Sequence, residues 1–137
     1  MGNKARHSAN LARQLLHLND RSANEDGYRA AERFISLAQP PTAIFASSDI
    51  LAAGVLQYLY RHGLNVPKNL SVVGFDDTYA AFVTPLLTTV RLPMEQLGRA
   101  AMELAIRRVE TLPVQGGPAT QKLPTELVVR DSTGPAP

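Results

Sequence analysis

An α/β fold built on a parallel sheet is what this sequence predicts, and three neighbouring stretches predict it. Residues 43–46, Ala-Ile-Phe-Ala, form a short apolar run after a Pro-Thr punctuation, the mark of a strand buried on both faces. Residues 50–62 carry Leu51, Val55, Leu56 and Leu59 at helical spacing. Residues 70–75 are a second apolar run, ending on the acidic pair Asp76-Asp77. Two buried strands joined by a helix lie parallel, with a right-handed connection.

The ends of these elements carry their own signals. Ser48 and Asp49 both suit a helix start, where a side-chain oxygen accepts from the first free N–H groups. Asp49 is read as a cap ahead of a ligand contact; Ser48 stands between the two roles. Gly63 suits the left-handed position past the helix end, and Leu64 is placed to fold back on Leu59 in a Schellman stop. The carboxyl ends of the two strands lie side by side, so Ser47, Ser48 and Asp49 meet Asp76 and Asp77. Ligands bind at that edge in open α/β sheets. The cluster suits hydroxyls, amines or a basic group on a small molecule.

A chain of 137 residues is one ordinary domain with room for its own core. With 45% hydrophobic and 19% charged residues it is globular. A net charge of +2 is too small to argue for nucleic-acid binding. The absence of cysteine excludes disulfides, thiolate metal sites and a cysteine nucleophile. No apolar run reaches membrane-spanning length and the start lacks a signal-peptide core, so a cytoplasmic protein is expected.

In chain order, residues 1–20 place Leu11, Leu15 and Leu18 at helical spacing, with Lys4, Arg6, His7 and Arg13 making the stretch mildly basic. A solvated basic helix or frayed terminus is preferred over a nucleic-acid arm. Ser22 and Glu25 form a capping-box pattern opening a helix whose face is Tyr28, Ala31, Ile35 and Ala38, with Gly27 permitting close packing. Residues 78–84 read as a loop or helical turn carrying Tyr79 and Phe82. Residues 86–92 read as a strand. Pro93 fits the first position of a helix with the apolar face Met94, Leu97, Ala101, Leu104 and Ala105. Glu95 and Arg107-Arg108 complement its dipole. Residues 111–120 are a loop, 122–130 a last strand begun at an edge by Pro124, and 131–137 a tail.

Nothing here assembles an enzyme: there is no Gly-x-Ser-x-Gly elbow, phosphate loop or HExxH helix. His7, His17 and His62 fall on surface helix positions, and His62 reads as a favourable cation at a helix end. No cofactor, metal or catalytic residue is expected. Asp76 and Asp77 invite a paired-carboxylate reading, yet neighbours on an extended chain point to opposite faces. Only one of them would face a cleft, and a cap or turn role remains open for both.

The segments PTAIFASSD, GL.VP..LSVVGFDD and PLLTTVRLP, in this order and spacing, closely resemble the effector-binding core of the lactose-repressor (LacI/GalR) family of bacterial transcription regulators. The resemblance covers residues 22–133 and leaves 1–21 as an unmatched leader. It implies a periplasmic-binding-protein-like, truncated type I fold, with an effector held in a hinge cleft between two subdomains. Residues 22–92 would be the C-terminal subdomain core, 93–127 a segment belonging to the missing N-terminal subdomain, and 128–137 the return and tail.

By that resemblance Asp76 contacts effector, a sugar, nucleoside or related metabolite, with Ser48, Ser22, Leu92 and Met94 around it. Asp49 and Asp77 are caps or a secondary site. Ala53, Gln57, Tyr79 and Phe82 lie on a homodimer interface, although Tyr79 and Phe82 serve equally well as a cover for the sheet end. DNA would be reached only through a missing N-terminal helix-turn-helix, and no membrane is involved. The alternative is a fragment of a transport-type periplasmic sugar-binding protein; a free-standing dimerising fragment is a third.

Overall fold

The computed structural model describes residues 23–110 and 120–135. Its elements in order are α1 (Ala23–Ile35), β1 (Ala43–Phe45), α2 (Asp49–Arg61), β2 (Ser71–Val73), β3 (Thr89–Arg91), α3 (Met94–Glu110) and β4 (Glu126–Val128). β1 and β2 pair in parallel, Ile44 opposite Val72. Parallel bridges Val73–Thr88 and Asp76–Arg91 attach β3 on the other side of β2, through Gly74 N–H to Thr88 O and Asp76 N–H to Val90 O, both 2.9 Å. β3 and β4 then pair antiparallel, Val90 opposite Leu127.

Ile44 and Val72 share one core with Ala31, Val55, Leu59 and Leu70 of the flanking helices and loop. The two helices approach so closely that a Cβ on Gly27 would overlap the Leu51 carbonyl, and one on Gly54 the Asn24 carbonyl. Tyr28 and Tyr58 meet edge to face across this crossing, ring centroids 5.1 Å apart.

The expectation that β1 is buried on both faces does not hold. Ile44 is 7% exposed but Phe45 is 64% exposed, turned away to meet the Phe75 ring at 6.4 Å. Successive strand residues point to opposite faces. Among the described residues the core cluster with α1 and α2 takes Ile44 and leaves Phe45 in the open.

The stop of α2 is the expected Schellman motif. His62 caps it, Gly63 has φ +68°, Leu64 N–H reaches Leu59 O at 2.9 Å and Gly63 N–H reaches Tyr60 O at 3.2 Å. His62 adds Nδ1–H to the Tyr58 carbonyl at 2.8 Å. α3 begins one residue later than expected: Pro93 stands before it and its carbonyl accepts from Leu97 N–H. Its apolar residues Met94, Leu97, Met102, Ile106 and Val109 are all exposed.

Residues 131–135, within the expected tail 131–137, are not simply a tail. Ser132 is fully buried; its hydroxyl donates to Val72 O at 2.6 Å and accepts from Thr88 N–H at 2.8 Å, stitching β2 to the approach of β3.

Candidate functional site

The carboxyl edge forms because Asp49 N–H donates to Phe75 O at 2.9 Å, joining the start of α2 to the end of the β2 segment. Around that bond stand Ser48, Asp49, Asp76 and Asp77, as the spacing predicts. Their roles differ from those expected.

Ser48 is the cap of α2. Its Oγ accepts from Leu51 N–H at 3.3 Å, with extended φ −155° and ψ 158°. Asp49 is therefore not the cap. It is the first helical residue and fully buried, and its carboxylate serves distant parts of the chain. Oδ1 accepts from Thr89 Oγ1 at 2.7 Å; Oδ2 accepts from Tyr79 and Ala80 N–H, each at 3.1 Å. Three donors at a helix N-terminus satisfy a charge that burial would otherwise penalise. Gly74 leaves room for it, since a Cβ there would overlap the Asp49 carboxylate.

Asp76 and Asp77 are not on an extended chain, so the alternation argument fails for them. Both have positive φ, 99° and 58°, a left-handed turn that Asp tolerates better than most residues. The turn sends the two carboxylates to different partners. Asp76 Oδ1 accepts from Thr78 N–H at 2.9 Å and from the Thr78 hydroxyl, while Oδ2 has no partner among the described residues.

Asp77 is locked. Its side chain is 9% exposed; Oδ2 meets Arg91 Nε at 2.7 Å and Oδ1 meets Arg130 Nη2 at 2.8 Å. Arg130 also donates to Leu87 O at 2.8 Å, and Arg91 reaches Glu126 at 3.3 Å. Burial pushes the Asp77 carboxyl up, but hydrogen bonds and attraction from Arg130 and Arg91 outweigh it and hold it below the ordinary value. Asp77 in turn raises the Arg91 guanidinium.

Leu92 and Met94 follow Arg91 at the β3 exit, the first partly buried and the second exposed. Ser48, Asp76 and Leu92 thus leave the same edge from three strands. Ser22 lies outside the described residues, as do His7 and His17. Ala53 and Gln57 share one face of α2, one residue partly buried and the other exposed; Tyr79 and Phe82 are exposed on the loop that Asp49 anchors. A groove of about 430 Å³ runs between α1 and α2, but its lining of Asn24, Tyr28, Glu32, Gln57 and Arg61 includes no edge residue. The edge is an open wall. No cluster of three metal-binding side chains occurs among the described residues.

Arg91, Arg130, Thr89 and Ser132 were missed as partners of this edge. A pair of acids beside buried strands needs cations or donors nearby, and Arg91 and Arg130 are the arginines that close the two strand segments of the second half.

The family model for the periplasmic binding protein-like domain matches residues 3–133, beginning within the opening 21 residues. The chain belongs to that family. The relatives and solved structures it matches are LacI-family transcription regulators, and the match covers part of each of them. It is 39% identical over 114 residues to the HTH-type transcriptional repressor CytR of Escherichia coli, a match covering 82% of this chain and 33% of that protein. A LacI transcriptional regulator from a Rhodococcus species superposes with a TM-score of 0.71 at 32% identity, covering 82% of this chain and 41% of that one. A LacI family regulator from Enterococcus faecium, solved with bound ribose, gives 0.70 at 27% identity, covering 82% and 41%. The chain spans about a third of the length of the curated relatives it matches.

Proposed function

We propose that this chain senses a small polar metabolite, a sugar, nucleoside or related compound, as the effector-binding part of a transcription regulator. The observation that carries this reading is the Asp76 carboxylate, partly exposed at the sheet edge with Oδ2 unpartnered among the described residues. Such an oxygen accepts from hydroxyl or amine donors, and a charged hydrogen bond of this kind contributes about 1.5–3 kcal/mol. Ser48, Leu92 and Met94 supply the flanking surface. The ribose in the Enterococcus faecium relative is a ligand of the same donor-rich class.

In this reading residues 22–92 build one wall of the cleft, and 93–127 belong with the facing subdomain. A homodimer forms through Ala53, Gln57, Tyr79 and Phe82. Reading DNA falls to a helix-turn-helix of the kind named in the CytR relative, and the compartment is the cytoplasm. No helix among the described residues is long and apolar enough to cross a membrane.

The test is an NMR titration of the labelled chain with ribose, cytidine and adenosine. One wall alone gives weak binding, on the order of millimolar. Shifts should gather at Ser48, Asp76 and Leu92 for one of the three compounds and vanish in Asp76→Asn. Shifts confined to other residues, or surviving in Asp76→Asn, would remove Asp76 from the site.

A further inference from the structure

The Asp77 ion network stands apart from any ligand role, because its carboxylate is already occupied. It joins three chain segments. Asp77 closes the β2 segment, Arg91 ends β3 and Arg130 follows β4. β3 leads directly into α3, and β4 is the strand to which the chain comes back. The strands are short, and the β2–β3 junction consists of isolated bridges. So few ladder bonds leave much of the joint's stiffness to side chains. Asp77 also shares its left-handed turn with Asp76, whose own N–H is bonded to Val90 O.

We propose that Asp77 is the positioning residue of this edge: by gripping Arg91 and Arg130 it makes Asp76 and the β3–β4 pair move as one piece. A displacement of Asp76 then reaches the base of α3 without passing through the core. The ligand that displaces Asp76 rests on the function proposed above; the mechanical link does not.

Amide hydrogen exchange on the ligand-free chain tests the link alone. Asp77→Asn should speed exchange at residues 89–91 and 126–128, and at the Asp76 N–H, by about ten- to a hundred-fold, the loss of a charged hydrogen bond. Exchange at Ile44 should stay as in the parent. Arg91→Gln, which alters a half-exposed side chain, should act in the same direction by a smaller factor and remains readable should Asp77→Asn fail to fold. Arg130→Gln must also reach the Asp76 N–H, although among the described residues Arg130 makes its ion pair only with Asp77. Faster exchange confined to β3–β4 with Asp76 unmoved overturns the link, and so does unchanged exchange in both arginine variants. Repeating the measurement with ribose separates the two claims: an intact link with no ribose effect counts against the ligand and leaves the positioning role standing.

Discussion

The Asp49 carboxylate and the Thr89 hydroxyl meet at 2.7 Å in full burial, forty positions apart in the chain. The contact pins the first turn of α2 to β3, and the other carboxylate oxygen holds the Tyr79–Ala80 loop over the sheet end. A cap and a tertiary anchor respond differently to substitution. Asp49→Ala leaves a hydroxyl and two N–H groups without their acceptor and should lower stability by about 2–4 kcal/mol. Asp49→Ser would rescue a cap; here its short hydroxyl cannot serve three distant donors, so it should stay close to the Ala variant. Urea melts of the pair decide the matter.

Ser48 should show the complementary behaviour. Its Oγ satisfies Leu51 N–H, so Ser48→Ala should cost about 1 kcal/mol. Ser48→Asp should keep most of the stability, because a carboxylate also caps and suits the helix dipole. Thermal midpoints suffice to compare the three. An unchanged midpoint in Ser48→Ala would show that the cap bond contributes nothing.

The strand–helix–strand unit was legible because its signals are local. The α2 stripe, the Gly63 stop and the Ser48 or Asp49 start all act within a turn or two of where they are written. The partners of Asp49 are 30 to 40 positions away and those of Ser132 as many as 60, distances at which no spacing rule operates. Phe45 failed for a related reason. An apolar run states that both faces want cover, while whether the cover exists depends on what packs there. Asp76 and Asp77 were misjudged through backbone: alternation holds for extended residues, and the chain turns left-handed where β2 ends.

Asp77 ties stability to pH, and the sign follows from its lowered carboxyl. Its folded-state pKa lies below the ordinary 3.8, so its contribution is complete above the carboxyl range and is lost as pH falls through the folded value. At neutral pH Asp77→Asn should be less stable than the parent by about 1–2 kcal/mol, a figure kept low because solvent reaches the Arg91 side of the network. The gap should close as pH falls below the carboxyl range, since the parent then carries a neutral group too. Melts across acid pH check this; a gap constant with pH would assign the loss to packing.

The apolar side chains exposed around α3 should drive association. Met94, Leu97, Met102, Ile106 and Val109 are exposed by 48–72%. Burying a side chain of this kind contributes about 1.5–3 kcal/mol, so a second copy or another apolar surface will compete with water for it. Sedimentation at rising concentration should show self-association, accompanied by binding of a dye that reports apolar surface. The pair Leu97→Glu and Ile106→Glu should reduce both. Monomeric behaviour at all concentrations, without dye binding, would overturn this prediction.

Three glycines separate packing from propensity. Gly27 and Gly54 sit where α1 and α2 cross, and a methyl at either would press on backbone of the other helix rather than on a side chain that can turn aside. Overpacking typically costs about 1–3 kcal/mol, and a rigid carbonyl as the neighbour puts these two at the upper end. Gly98 lies in the second turn of α3 with nothing within 4 Å of the added atom. Its replacement by Ala removes unfolded-state freedom and meets no obstacle, so it should stabilise by about 0.5–1 kcal/mol. Gly27→Ala and Gly54→Ala should therefore lower the thermal midpoint while Gly98→Ala raises it or leaves the main transition alone. The last outcome would mean that α3 unfolds separately from the Ile44–Val72 core, in which case helix circular dichroism should show the Gly98→Ala gain as a distinct transition. A gain at Gly27 or Gly54 would mean that the two helices can part without loss, and the close crossing would not be what holds α1 to the sheet.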